Sequence, residues 1–156
     1  MIYKAITNIS IMNDVTLITL DNIPNQLKII ADIFTAIANE DINIDMISQT
    51  APYRGSLNIS FTLPTDDLIK AINVLGKFKK EIPGMRADIN SNNCKLSVYG
   101  DAMRDIPGVA AKFFALLEEN EIPIKLITTS EVDISCLIYE KDVDKARTCV
   151  KETFGI

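Results

Sequence analysis

Apolar residues recur with a helical period in four segments of the chain. In the segment from Leu27 they stand three and four positions apart, as on one face of a helix. The predicted apolar faces are Leu27, Ile30, Ala31, Phe34, Ile37 and Ala38; Leu68, Ala71, Ile72, Leu75 and Phe78; Ala110, Phe113, Phe114 and Leu117; and Val143, Ala146, Val150 and Phe154. The pattern therefore predicts four amphipathic helices.

Runs rich in β-branched residues flank these helices and predict strands. Their composition, with turn residues between them, is typical of a half-buried sheet. The runs are residues 6–12, 14–20, 42–50, 56–63, 85–91, 94–100, 122–130 and 132–139. Helices and strands in this alternation indicate an α+β fold.

The chain contains an internal repeat. A shift of 80 residues places the segment from Ile30 on the segment from Ala110, and a shift of 75 places the segment from Ser56 on that from Glu131. Each copy reads β-α-β-β-α-β once a closing strand is added, and this is the order of a ferredoxin-like unit. The sequence thus predicts two such units with antiparallel sheets and helices on one face.

Composition excludes several classes of function. The chain lacks histidine, which is the usual general base and the commonest metal ligand, and it has no glycine-rich phosphate loop. We therefore expect no catalytic residue, metal or cofactor here. The net charge of −5 and the 6% aromatic content argue against a nucleic-acid partner.

The chain carries no sequence signal for a membrane or for export. No apolar run approaches the roughly 20 residues of a membrane span. The N-terminus lacks a basic segment followed by an apolar core, and the three cysteines have no metal-site spacing. Reduced thiols are typical of a cytoplasmic protein, and that location is our expectation.

Residues 101–117, DAMRDIPGVAAKFFALL, predict a loop that turns into a helix. Pro107 suits an early helical position, and Gly108 would let another group approach the backbone. The unpaired N–H groups at a helix N-terminus bind carboxylates and phosphates. The loop is therefore a candidate anion site, although a simple helix start would have the same residues.

The repeat resembles tandem ACT domains, the small-molecule sensing modules of amino-acid metabolism, and is most similar to the C-terminal regulatory region of aspartokinase. The resemblance covers nearly the whole chain and keeps the family's order and spacing. The segments that carry it are INIDMISQ (42–49), SFTLPTDDL (60–68), GDAMRDIPGVAAKFFALL (100–117) and ITTSEVDISC (127–136).

The resemblance implies a nested arrangement. Residues 13–92 would form the first unit, inserted into a second unit made of residues 1–12 plus 93–156. Two chains would associate through their ACT units, with an amino-acid effector, lysine or threonine in that family, bound where a loop of one unit meets a strand of the other. The module would pass feedback inhibition to a domain that phosphorylates aspartate with ATP.

That kinase domain is absent from the sequence. The chain could be a regulatory subunit that associates with a kinase subunit, an excised fragment, or an independent homodimeric ACT protein. A dimerisation module with degenerated effector sites is the alternative function.

One effector site keeps the family pattern. Its expected residues are Met103, Arg104, Asp105, Pro107, Gly108, Val109 and Ala110 in the loop, with Asn43, Ile44 and Asp45 on the facing strand. The N–H groups of residues 108–110 would hold the effector carboxylate, and Asp105 or Asp45 its ammonium group. Alternatively, Asp105 caps the helix and Asp45 is solvated.

The other site departs from the pattern. Its expected residues are Asn25, Lys28, Ile30, Gln49, Ile124 and Ser130. Lys28 stands where the second copy has Gly108, and Ile30 replaces a small residue, so both would crowd the backbone donors. Pro123 on the facing strand lacks an N–H. We expect this site to be weak, altered or empty, unless it has moved with its ligand.

Overall fold

A computed structural model describes all residues, 1–156, and shows an α+β fold, as predicted. The helices are α1 (Leu27–Asn39), α2 (Leu68–Glu81), α3 (Val109–Glu119) and α4 (Val143–Phe154). The strands are β1 (Asn8–Pro24), β2 (Asp45–Gln49), β3 (Ser56–Pro64), β4 (Arg86–Tyr99), β5 (Ile124–Thr129) and β6 (Asp133–Tyr139). Short 3-10 turns cover Ile2–Lys4, Thr65–Asp67, Asp101–Arg104 and Glu140–Asp142.

The chain divides into two compact units. One, the inserted unit, is Asp14–Ser91, and the other, the split unit, combines Met1–Asn13 with Asn92–Ile156. The sequence-based boundaries lie one residue from these.

Two predicted strand breaks are absent. The runs 6–12 and 14–20 are both part of β1, and the runs 85–91 and 94–100 both belong to β4. Asp14 and Asn92 hold positive φ angles, 54° and 64°, within these strands. Asp and Asn tolerate that conformation better than most residues, so each strand continues through a local distortion.

In the inserted unit the strand order is β2-β3-β1-β4. β1 pairs antiparallel with β3, and the pairs Ile18–Phe61 and Leu20–Ile59 place apolar residues on the helical face. α1 and α2 cover that face and bury a core that includes Ile18, Leu20, Ile33, Ile37, Phe61, Ala71 and Leu75. This is the ferredoxin-like order predicted from the repeat.

The split unit repeats the same order as β1-β4-β6-β5. β4 pairs antiparallel with β6, with Leu96 opposite Cys136, and β6 pairs antiparallel with β5. Its core includes Leu96, Val98, Val109, Phe113, Leu117, Cys136 and Val150. Each unit therefore has a hydrophobic core of its own.

The predicted apolar faces need corrections in three helices. In α1 the buried residues are Ile33 and Ile37, whereas Leu27 is 81% exposed. Ala31, Ala38 and Ala110 are also exposed, and Ile72 is 42% exposed. The buried stripes instead include Val74 in α2 and Val109 and Leu116 in α3. Small or terminal apolar residues fit the spacing without reaching the sheet. The face predicted for α4 is confirmed at Ala146, Val150 and Phe154.

None of the helices combines the length and the apolar character that crossing a bilayer requires.

Candidate functional site

A pocket of about 310 Å³ opens in the split unit at the start of α3. It lies between the loop that follows β4 and the turn that joins β5 to β6. Its lining residues are Met103, Ile106, Pro107, Gly108, Val109, Ala110, Thr129, Ser130, Glu131 and Ile134. Five of the seven loop residues predicted for the intact site therefore line one cavity.

Gly108 sets the geometry of the loop. Its φ angle is 86°, which only glycine adopts without strain, and α3 begins at the next residue, Val109. Pro107 thus lies outside the helix, and its predicted place in the first turn was wrong because the left-handed residue separates it from α3.

The first N–H groups of α3 have no backbone acceptor and no side-chain cap. Lys112 donates its N–H to the Gly108 carbonyl at 3.0 Å, which closes the first helical turn. The N–H groups of Val109, Ala110 and Ala111 make no backbone hydrogen bond, and no side chain caps the helix. Such a terminus, carrying partial positive charge, suits a carboxylate.

Asp105 and Arg104, both predicted for the site, do not line the pocket. Both side chains are exposed, and Asp105 does not cap α3. Instead its N–H donates to the Ala102 carbonyl at 3.1 Å, as does the N–H of Ile106. The backbone of Asp105 therefore helps to shape the loop, while the side chains of Arg104 and Asp105 are exposed.

The opposite wall of the pocket is a tight turn tied to the loop. Ser130 donates its N–H to the Asp133 carbonyl at 2.9 Å, and Gly100 donates its N–H to the Val132 carbonyl at 2.9 Å. Ser130, predicted for the eroded site, lies here beside Gly108, and the exposed Glu131 brings a carboxylate.

Sequence reasoning missed Ile106, Thr129, Glu131 and Ile134. Since β6 pairs with β4 up to Tyr99, the β5–β6 turn has to lie beside the loop that follows β4. The strand order of a ferredoxin-like unit could have indicated this neighbour.

The three residues predicted for the facing strand lie in the inserted unit. Asn43 and Ile44 precede β2, so only Asp45 belongs to the strand that was expected from residue 42. One carboxylate oxygen of Asp45 accepts the Met46 N–H at 2.9 Å. Their pairing with the loop concerns a second chain and stays a prediction.

The corresponding loop of the inserted unit has a different shape. α1 begins at Leu27, two residues earlier than α3 in the register of the repeat, and its N-cap is Gln26 in an extended conformation. Lys28, at the position of Gly108, carries a β-carbon that disfavours the left-handed conformation, so the helix extends through it.

Lys28 forms a salt bridge within α1. Its ammonium group is 2.6 Å from an Asp32 carboxylate oxygen, one turn along the helix. The hydrogen bond and charge of Asp32 raise the pKa of Lys28. Asn25 is exposed and donates its N–H to the Gly55 carbonyl at 2.9 Å, while Ile30 packs against the core of the unit.

The remaining residues of the eroded site stand at strand ends. Gln49 is the last residue of β2, exposed and opposite Ile59 on β3. Ile124 is the first residue of β5 and packs against the core of the split unit.

Comparisons with known proteins agree on one family. The family model of the ACT domain matches residues 21–77 and 96–154. The aspartokinase of Geobacillus stearothermophilus is 35% identical over 99% of this chain, and the match covers 37% of that relative. The matches span only 30–37% of the length of the curated relatives.

Two solved structures match over their whole length. The ligand-free regulatory subunit of aspartate kinase from Thermus thermophilus has a TM-score of 0.88 and 32% identity, covering 97% of this chain and 99% of that one. In a crystal structure of aspartokinase alpha and beta subunits, the matched chain gives a TM-score of 0.87 and 32% identity, covering 97% and 100%.

Proposed function

The chain belongs to the ACT domain family and is homologous to regulatory parts of aspartokinases, and we propose that it binds an amino acid and thereby regulates an aspartate kinase. The observation that carries the proposal is the pocket at Gly108, where unpaired helix N–H groups meet the β5–β6 turn. This pocket lies within the second segment matched by the family model.

A free amino acid fits the chemistry of the pocket walls. Its carboxylate would accept hydrogen bonds from the N–H groups of Val109 and Ala110 at the positive end of α3. Its ammonium group would face Glu131, the carboxylate among the lining residues. Its side chain would contact Met103 and Ile134, which give the pocket an apolar wall.

Regulation would follow from differential affinity. An effector shifts a quaternary equilibrium only if it binds one arrangement more tightly than the other. We propose that the partner is a second copy or a kinase-bearing subunit, as a chain with this fold is part of the structure of aspartokinase alpha and beta subunits.

Thermal unfolding with separate millimolar amino acids tests the proposal. Lysine, threonine and methionine come first, with alanine and glutamate as comparison ligands. A ligand at 100 times its Kd adds about 2.7 kcal/mol to the native state. For a chain of this size, such a gain raises Tm by about 5–10 °C.

Paired glycine variants locate the site. Gly108→Val should abolish the shift because a β-branched residue cannot hold that φ angle without distorting the donors. Gly155→Val is the matched control, since Gly155 also has a positive φ angle of 69° and nothing within 4 Å of its missing β-carbon.

The control should keep the shift even if its Tm falls. A shift retained in Gly108→Val would move the site elsewhere. No shift for any amino acid in the unmodified chain would contradict effector binding by this chain and favour the dimerisation module.

A further inference from the structure

The first residues of the chain pack against the pocket loop. Ile2 Cδ1 lies 3.7 Å from the position that a β-carbon on Gly108 would occupy. At Gly100, where the loop starts, an added β-carbon would come within 1.7 Å of the Ala5 carbonyl oxygen. Thr7 then donates its N–H to the Tyr99 carbonyl at 2.8 Å. Residues 1–5, here called the N-terminal turn, therefore support both ends of the loop.

The repeat shows what is unusual about this turn. In the inserted unit, residues 82–85 connect α2 covalently to the segment of β4 that closes its sheet. In the split unit the closing strand is residues 8–13 of β1, which lie before the rest of the unit in the sequence rather than after α4. The N-terminal turn and α4 are far apart in the sequence, so it is packing that brings them together.

The packing that holds the turn comes from both helices of the unit. The Tyr3 ring lies 6.3 Å from the Phe154 ring at the end of α4, with an angle of 48° between their planes. The Lys112 ammonium group, one turn into α3, lies 5.1 Å from the Tyr3 ring centre. Ile2 packs against the same core as Met103 and Ile106, which line the pocket.

We propose that the N-terminal turn positions the Gly108 loop, with Ile2 as the positioning residue, so that docking of the turn and occupancy of the pocket are linked. The effector part of this inference rests on the proposed function. Coupling between two sites is reciprocal, so a loosened turn should weaken ligand binding and a bound ligand should tighten the turn.

Amide hydrogen exchange without ligand tests the structural half. In Ile2→Ala we expect exchange in residues 101–113 to quicken by about five-fold or more at amides that are hydrogen-bonded in the loop, such as Ile106 and Lys112. Exchange in the inserted unit should stay unchanged. Met12→Ala, at a side chain 50% exposed on β1, is the control and should leave the loop unchanged.

Ile2→Leu keeps an apolar side chain of equal size and should restore slow exchange in the loop. Faster exchange throughout the split unit would overturn the positioning role, because a merely structural residue would loosen the unit as a whole. An unchanged exchange rate in the loop would overturn it as well.

Ligand titration tests the functional half. With whichever amino acid stabilises the unmodified chain, Ile2→Ala should raise Kd by about five-fold while Met12→Ala changes it less than two-fold. Bound ligand should slow exchange in residues 1–7. If no amino acid binds, the proposed function fails, whereas the exchange experiment still decides the role of the turn. Unchanged affinity in Ile2→Ala would overturn the linkage.

Discussion

Gly100 joins β4 to the turn that leads into the pocket, and it leaves no room for a side chain. An added β-carbon would lie 1.7 Å from the Ala5 carbonyl oxygen and 2.8 Å from its carbonyl carbon. These are backbone atoms, so relief requires the buried segment at Ala5 and Ile6 to move. We expect Gly100→Ala to lower the free energy of unfolding by about 2 kcal/mol or more, measured by urea denaturation.

Gly55→Ala is a useful comparison for Gly100→Ala. Gly55 has a φ angle of 79° but nothing within 4 Å of its missing β-carbon. Its substitution tests backbone strain alone, which costs about 1 kcal/mol. A smaller loss at Gly100 than at Gly55 would show that the approach of Ala5 is not what limits position 100.

Residue identity explains why this loop has a different shape in the two copies of the repeat. Gly108 interrupts the chain in the left-handed conformation, and the donors of α3 begin beyond it. Lys28 continues α1 and pairs with Asp32. The sequence comparison found this difference, but it attributed the expected weakening of the site to crowding. The structure adds that the helix itself begins two residues earlier.

At the scale of elements, α2 contains a glycine with no structural task. Gly76 lies exposed in the helix interior, and a β-carbon there would meet nothing within 4 Å. Alanine lowers the conformational entropy of the unfolded chain and is a better helix former. Gly76→Ala should therefore raise the free energy of unfolding by about 0.5–1 kcal/mol.

The same denaturation experiment checks Gly76→Ala, with Ala115→Gly in α3 as the reverse change at another exposed helical position. The two effects should be opposite in sign and similar in size. Destabilisation by Gly76→Ala would mean that α2 needs the glycine for a contact outside this chain.

Periodicity predicted which elements form, and tertiary context decided where they end. All four helices followed from the 3.6-residue pattern, as at Phe34 and Phe113, while the strands followed from runs rich in β-branched residues and their order from the internal repeat. The continuity of β1 and β4 could not be predicted, because a turn-forming residue such as Asp14 predicts a break between two strands. The prediction that Leu27 lies on the buried face of α1 was wrong for a related reason, because the spacing of apolar residues does not show where the sheet beneath a helix ends.

The candidate site was predicted on its loop side and missed on its other wall. A motif marks contiguous residues, so 103–110 were recognisable, whereas Glu131 enters the pocket through strand pairing. The resemblance to ACT domains of aspartokinase is confirmed by the family model and by structures that match the whole chain. The effector and the second chain of the predicted site stay predictions.

For the whole molecule, composition predicts an unusual dependence of stability on pH. The chain has no histidine, the one side chain that ordinarily titrates near neutrality. The free energy of unfolding should therefore vary by less than about 0.5 kcal/mol between pH 6 and 8.

Above pH 9 the stability should fall, and Cys136 is one cause. Burial, with a smaller contribution from the charge of Asp133, raises the pKa of the Cys136 thiol from 9.0 to about 12. Between these values the unfolded chain loses this proton while the folded chain keeps it, so rising pH favours unfolding. The loss is at most about 1.4 kcal/mol per pH unit.

Comparison with Cys136→Ala isolates this contribution. Burial lowers the pKa of Lys125, which acts in the opposite direction, and the hydrogen bond to Asp101 raises the pKa of Tyr99. Both effects are common to the two proteins and cancel in the difference. Urea denaturation from pH 8 to 11 should give a shallower decline for Cys136→Ala, although packing loss makes it less stable at pH 8. Parallel declines would show that the Cys136 thiol ionises as readily in the folded chain as in the unfolded one.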